Sequence, residues 1–85
     1  MEEKSLFDKA VEDGKNLAQK PSNDTLLQLY SLYKQSTTGD VNVDPPDNVF
    51  DFVSKAKYNA WALLKGKPVL EAQQEYINLV EKLRS

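Results

Sequence analysis

Apolar residues recur three and four positions apart in four segments of this chain, as they do on one face of an amphipathic helix. The first predicted helix carries its stripe on Leu6, Phe7, Ala10, Val11, Leu17 and Ala18. Ser5 and Asp8 favour a cap at its start, and Pro21 prevents its continuation. Gly14 lies inside the stripe, where it costs about 1 kcal/mol relative to alanine unless another helix packs closely against it.

The second predicted helix begins after a cap at Ser22 or Asn23. Its apolar face carries Leu26, Leu29, Tyr30 and Tyr33, with Leu27 and Lys34 on its edge. Residues 35–48 follow and contain one glycine, two prolines and several Thr, Asn and Asp residues. This composition predicts a long ordered loop, which we expect Val41 and Val43 to pin to the core.

The third predicted helix begins at Asn48 or Asp51 and ends at Gly66. We expect one apolar face on Phe52, Ala56, Ala60 and Leu63, joined by Val53 and Leu64, with Tyr58 and Trp61 on roughly the opposite side. Pro68 opens the last helix. That helix carries a stripe on Val69, Ala72, Tyr76, Val80 and Leu83, flanked by Ile77. The pattern therefore predicts an all-α four-helix bundle with one long loop between helices 2 and 3, formed as a single domain by residues 1–85.

The amino-acid composition excludes several classes of function. The chain has 85 residues, 40% of them hydrophobic and 28% charged, and a formal net charge of −2. An acidic balance disfavours nucleic acid as a partner, because nucleic-acid-binding surfaces are normally basic. The absence of cysteine and histidine excludes disulfides, thiol catalysis and the usual zinc sites. No apolar run approaches the roughly 20 residues that span a bilayer, and the acidic N-terminus does not resemble a signal peptide. We expect a soluble cytoplasmic monomer with no integral membrane association.

Catalytic patterns are sparse. A nucleophile would need an unusual base in a chain without histidine or cysteine, and phosphate-binding glycine loops are absent. Asp40, Asn42 and Asp44 alternate as in a calcium loop, but the glycine and closing glutamate of such a loop are missing. These three residues are better explained as turn formers, so we expect neither enzymatic activity nor a metal or other cofactor.

Tyr30, Tyr33 and Lys34 share one face of the second helix because residues three and four apart lie together. Two interpretations remain open at this point. In the first, the tyrosines are core aromatics with their hydroxyls in water, and the lysine is solvated. In the second, the rings and the cation form a site for a ligand with an aromatic ring and phosphates.

Four motifs favour the second interpretation. LYSLYKQSTTGDVN at residues 29–42 resembles the LYxxYKQxTxGDxN stretch of the acyl-CoA-binding protein family. KPS at 20–22, the P…DF…KAKYNAWALLKGK run at 46–67 and EAQQEYINLVEKL near the end also match the family in the expected order. The resemblance covers essentially the whole chain. It implies a four-helix bundle that binds, buffers and transports medium- to long-chain acyl-CoA esters without catalysis.

The resemblance also implies the site. The positions that match the family's CoA-binding residues are Lys15, Tyr30, Tyr33, Lys34, Lys57 and Tyr76, and those that match acyl-chain contacts are Ala10, Leu26 and Leu27. On this basis Tyr33 and Tyr76 flank the adenine. The Tyr30 hydroxyl and the ammonium groups of Lys34 and Lys57 hold the 3′-phosphate.

Two departures from the family pattern lie before the third helix. Val53 occupies a position that is basic in many members, and the VFDF stretch carries one residue more than the usual loop. We expect position 53 to be accessible to solvent, on the same flank of the helix as Lys57. The alternative function is a helical interaction module that has lost ligand binding and presents Tyr58 and Trp61 to a protein partner. A thioesterase is a third, weaker possibility.

Overall fold

The computed structural model describes residues 5–84, which form four helices and no strand. The helices are α1 (Leu6–Lys15), α2 (Asn23–Thr37), α3 (Phe52–Ala62) and α4 (Val69–Arg84). Helix α2 packs against both α3 and α4, and α1 packs against α4. The predicted all-α four-helix architecture is confirmed, with the long connection between α2 and α3.

Side-chain caps set the start of three helices. The Ser5 hydroxyl accepts a hydrogen bond from the Asp8 amide at 3.1 Å. The Ser22 hydroxyl accepts one from the Thr25 amide at 3.2 Å, and the Asp51 carboxylate accepts one from the Ser54 amide at 3.1 Å. Each cap satisfies a backbone amide that has no partner within its helix. Of the two possible starts predicted for α2, the structure uses the cap at Ser22, and of the two predicted for α3 it uses the cap at Asp51.

Three helix ends differ from the prediction, and one of them is that of α3, which ends at Ala62 and not at Gly66. Helix α1 ends at Lys15, and Leu17 and Ala18 therefore lie outside it. The Asn16 side chain donates to the Glu12 carbonyl at 3.0 Å and so takes an acceptor that the next helical turn would use. Helix α2 runs to Thr37, past the predicted loop start at residue 35, and gives way to Gly39, whose φ of 92° favours glycine.

The core forms where α1, α2 and α4 meet. Its buried residues are Phe7, Ala10, Leu29, Leu32, Ala72, Tyr76 and Val80. Most of them were expected from the stripes of the helices, although the pattern did not single out Leu32. Gly14 permits a close approach in this region, because a Cβ there would lie 3.2 Å from the Tyr76 hydroxyl and 3.6 Å from Val80 Cγ2.

The spacing placed apolar residues on two sides of α3, and the structure buries the side of Trp61 while leaving position 53 exposed, as expected. Phe52 is 72% exposed, Val53 66% and Leu63 85%, whereas Trp61 is only 3% exposed. Helix α3 packs against α2 alone among the helices, so one narrow face is covered. The Trp61 indole N–H donates to the Gly39 carbonyl at 2.8 Å, and this bond holds the ring against the start of the loop.

The end of α2 is joined to the turn between α3 and α4 by side-chain hydrogen bonds. One Asp40 carboxylate oxygen accepts from the Gln35 amide group at 2.9 Å and from the Gly66 backbone N–H at 2.8 Å. The buried Gln35 side chain also donates to the Lys67 carbonyl at 2.8 Å. Val43, expected to pin this loop, is instead 56% exposed, so polar contacts and the Trp61 ring anchor the loop.

Candidate binding site

An open cleft of about 390 Å³ lies between α1, α2 and α4. We call it the aromatic cleft, and it is lined by Val11, Gly14, Lys15, Leu29, Tyr30, Tyr33 and Tyr76. Three helices contribute to it: α1 supplies the small Gly14 and the cation of Lys15, α2 supplies two tyrosines, and α4 supplies Tyr76. The cleft therefore combines ring surfaces, hydroxyl groups and one positive charge.

The rings of Tyr33 and Tyr76 in this cleft pack against each other and against Phe7. Tyr33 and Tyr76 have their centroids 6.4 Å apart with planes inclined by 57°. Phe7 supports both, edge-on to Tyr76 at 5.3 Å and stacked with Tyr33 at 6.3 Å. Tyr33 is 41% exposed and Tyr76 is buried. Tyr33 thus offers a ring face to a flat aromatic ligand, and Tyr76 closes the floor of the cleft.

Burial also affects the chemistry of Tyr76. Loss of solvent raises the pKa of its phenol above the ordinary value, and the neighbouring Tyr33 acts in the same direction. The hydroxyl of Tyr76 therefore stays protonated at neutral pH and remains available as a hydrogen-bond donor.

A second, smaller cleft of about 180 Å³ lies between α2, α3 and the long loop. This loop cleft is lined by Tyr30, Val43, Asp44, Pro46, Ser54, Lys57, Tyr58 and Trp61. The Lys57 ammonium lies 5.3 Å from the centroid of the Tyr30 ring. The Lys34 ammonium lies 4.8 Å from the centroid of the Trp61 ring. Both contacts lie within the range of cation–π interactions, which positions the two cations on the α2–α3 side of the molecule.

These two cations remain available to an anion. Neither Lys34 nor Lys57 forms a salt bridge with a carboxylate in the part of the chain that the structure describes. By contrast, Lys67 is paired with Glu75, and Arg84 with Asp13 at 3.2 Å. A phosphate bound beside Lys34 or Lys57 would therefore not have to displace a paired carboxylate.

A third cleft, of about 360 Å³, lies between the N-terminal halves of α2 and α3. This apolar cleft is lined by Asn23, Leu26, Leu27, Phe52, Val53, Ala56 and Lys57. Lys57 borders both the apolar cleft and the loop cleft, and Tyr30 borders both the loop cleft and the aromatic cleft. The three clefts thus follow one another along α2, from an aromatic end to an apolar end.

The structure brings most of the predicted site residues to these clefts. Lys15, Tyr30, Tyr33 and Tyr76 meet in the aromatic cleft, Lys57 borders the other two, and Leu26 and Leu27 line the apolar one. Two predicted residues lie elsewhere. Lys34 lies against Trp61 and borders none of the three clefts, and Ala10 is 5% exposed within the core beneath them.

Sequence reasoning missed part of the lining. Phe52, Val53 and Ala56 line the apolar cleft, although the spacing assigned them only to an apolar face of α3 and not to the binding site. Gly14 lines the aromatic cleft, where the absence of a side chain keeps space in front of Tyr76. The spacing indicates a shared face, but it does not show whether protein or an open cleft lies opposite.

A larger cleft, of about 510 Å³, lies elsewhere, at the C-terminal ends of α1 and α4. The Asp13–Arg84 salt bridge lies at its wall, and no aromatic residue lines it. Volume alone therefore does not identify the site. The clefts along α2 combine aromatic rings, the cations of Lys15 and Lys57, and apolar surface.

The comparisons with known proteins identify a family. A family profile described as Acyl CoA binding protein matches residues 4–80. The chain is 48% identical over 79 residues to an acyl-CoA-binding protein of Dictyostelium discoideum, covering 93% of each chain. It is 44% identical over 78 residues to one of Saccharomyces cerevisiae, covering 92% of this chain and 88% of the relative. The crystal structure of Oryza sativa Acyl-CoA-Binding Protein 2 is similar, with a TM-score of 0.85, 37% identity and coverage of 92% of this chain and 86% of the other.

Proposed function

This chain belongs to the acyl-CoA-binding protein family, and from that premise we propose that it binds and transports medium- to long-chain acyl-CoA esters. In this proposal it acts as a monomeric, cytoplasmic carrier that neither catalyses a reaction nor uses a cofactor. No helix within residues 5–84 is long and apolar enough to cross a membrane. The observation that carries the proposal is the succession of clefts along α2, joined by Tyr30 and Lys57.

Of the three clefts along α2, the aromatic cleft is suited to the nucleotide part of CoA. We assign the adenine to the exposed face of Tyr33 and the neighbouring Tyr76, whose rings Phe7 supports from behind. Lys15 borders the same cleft and is assigned to the CoA phosphates. A charge-assisted hydrogen bond of this kind contributes roughly 1.5–3 kcal/mol.

The 3′-phosphate is assigned to the Tyr30 hydroxyl and the ammonium groups of Lys34 and Lys57. The two cations lie over neighbouring rings of the α2–α3 interface, and neither is neutralised by a salt bridge within residues 5–84. The attraction between each ammonium group and its ring favours these positions. This placement supports a shared role in holding one phosphate.

The acyl chain is assigned to the apolar cleft, against Leu26 and Leu27. Removal of one methylene from water contributes about 0.8 kcal/mol. A dozen methylenes therefore contribute about as much as the head-group hydrogen bonds together, and affinity should rise with chain length until the cleft is full. Ala10, buried below the surface in α1, supports the packing beneath the site in this assignment.

The alternative, a helical interaction module that presents Tyr58 and Trp61, is not supported. Trp61 is 3% exposed and its indole N–H is bonded to the Gly39 carbonyl, so the ring is not free to contact a partner. Relatives named acyl-CoA-binding proteins match more than nine-tenths of the chain.

Titration calorimetry with palmitoyl-CoA, free CoA and free palmitate tests the proposal. We expect saturable one-to-one binding of palmitoyl-CoA and far weaker binding of the other two, because each supplies only part of the contacts. A thiol assay on the same samples should detect no free CoA. Equal affinity for palmitate would indicate a general fatty-acid carrier, and release of thiol would indicate a thioesterase.

A further inference from the structure

Large apolar side chains are exposed at the entry to α3. Those that lie more than half exposed are Val49, Phe50, Phe52 and Val53. Contiguous exposed apolar surface in a small soluble protein commonly marks a binding surface. Phe52 and Val53 border the apolar cleft, so this surface continues the wall formed by Leu26 and Leu27 of α2.

The chemistry around Val53 favours a methylene chain over a phosphate. Of the residues that line the apolar cleft, only Asn23 and Lys57 are polar. Val53 lies one turn before Lys57, or about 6 Å along the helix axis. Since Lys57 also borders the loop cleft, the lining changes from polar to apolar on the side of Lys57 that faces Val53.

From this arrangement we propose that Val53 determines the acyl-chain specificity of the site. Together with Phe52, it forms the α3 wall against which the distal methylenes of a long acyl chain pack, and a shorter chain contacts less of this wall. The inference rests on the proposed function, since it concerns the chain of the same acyl-CoA ligand. Apolar surface that is exposed in the free protein would then be covered by the ligand itself.

The test compares octanoyl-, dodecanoyl- and palmitoyl-CoA and free CoA on the wild-type protein and Val53→Thr. Threonine replaces one methyl group with a hydroxyl at nearly constant shape, and the high exposure of position 53 makes a change in melting temperature unexpected. We expect palmitoyl-CoA affinity to fall about three- to fivefold. Octanoyl-CoA and free CoA should bind within about twofold of wild type.

Leu63→Thr is the matched control. Leu63 is 85% exposed just beyond the opposite end of α3 and borders none of the three clefts along α2. We expect its affinities to match wild type at every chain length. A chain-length effect in Leu63→Thr equal to that in Val53→Thr would overturn the inference, because any loss of exposed apolar surface would then suffice.

Further outcomes separate the inference from the proposed function. An equal change in Val53→Thr at all chain lengths, or no change at any length, overturns the role of Val53 and leaves the carrier function standing. Tighter, salt-sensitive binding of free CoA by Val53→Lys, with no loss for palmitoyl-CoA, also overturns it by placing Val53 on a phosphate-binding flank. Absence of acyl-CoA binding in the wild type instead defeats the proposed function.

Discussion

Tyr30 is the residue at which the polar and aromatic parts of the site meet. It borders both the aromatic cleft and the loop cleft, and the Lys57 ammonium lies over its ring. Lys34 and Trp61 repeat this arrangement at the next turn of α2. In both pairs an aromatic ring holds a cation that has no salt bridge among residues 5–84, so each pair is suited to an incoming anion.

Lys57→Ala and Lys34→Ala should therefore each weaken palmitoyl-CoA binding by about 1.5–3 kcal/mol. Loss of a cation–π contact adds only about 0.5–1 kcal/mol to the cost in stability at such exposed sites, so the fold should persist. The measurement is calorimetry with palmitoyl-CoA and with its dephospho analogue, which lacks the 3′-phosphate. The effects should shrink with the analogue.

Lys9→Ala is the control for these variants. Lys9 is exposed on α1 and borders none of the three clefts, yet its replacement removes the same charge. We expect Lys9→Ala to bind palmitoyl-CoA with nearly the affinity of wild type. If Lys34→Ala and Lys57→Ala lose as much affinity for the dephospho ester as for palmitoyl-CoA, the two lysines do not hold the 3′-phosphate.

At the scale of elements, Asp40 determines how α2 meets the α3–α4 turn. Its hydrogen bonds from the Gly66 backbone N–H and the Gln35 side chain lower the pKa of its carboxyl below the ordinary value. A lowered pKa in the folded state means that the stabilisation is complete above the pKa of the unfolded chain. It is lost as the pH falls through the folded-state pKa.

We therefore expect Asp40→Asn to be less stable than wild type at neutral pH and to lose less stability on acidification below about pH 4. Urea denaturation at a series of pH values from neutral to strongly acidic measures both effects. The acid dependence should not vanish, because hydrogen bonds from Ser54 also lower the pKa of Asp51.

Asp47→Asn serves as the reference, since Asp47 belongs to the same loop and makes neither of these bonds. Its acid dependence should follow that of wild type. If the stability of Asp40→Asn and of wild type fell in parallel as the pH is lowered, the contact between α2 and the α3–α4 turn would not depend on the charge of Asp40.

At the scale of the whole molecule, the aromatic cleft lies between two helices whose backbones do not approach closely, α1 and α2, although Phe7 of α1 stacks on Tyr33 of α2. Helix α1 packs against α4, and α2 packs against α3 and α4. The aromatic cleft separates Val11 and Lys15 of α1 from Tyr30 and Tyr33 of α2. A ligand in this cleft would therefore bridge α1 and α2 and add contacts that the free protein lacks.

Hydrogen exchange should reveal this bridging. On addition of saturating palmitoyl-CoA we expect amide exchange in α1 to slow more than exchange in the C-terminal half of α4, because local opening of α1 would require loss of ligand contacts. Free CoA at equal concentration is the control and should protect α1 less. Equal protection of all four helices would instead indicate that the ligand stabilises the protein only against global unfolding.

The sequence by itself determined the number and order of the helices and the fold class, because these depend on local spacing and on capping residues such as Ser22 and Asp51, whereas several helix ends differed by a few residues. The motif around Tyr30 and Lys34 likewise identified the family before the fold was known.

Tertiary structure alone decided which side of α3 is covered. Phe52, Val53 and Trp61 are all apolar residues of one helix, yet only Trp61 is buried. Spacing along a helix shows which residues share a face, but burial depends on which other helices reach that face. Because α3 has only α2 as a helical neighbour, its remaining apolar surface forms the wall of a cleft.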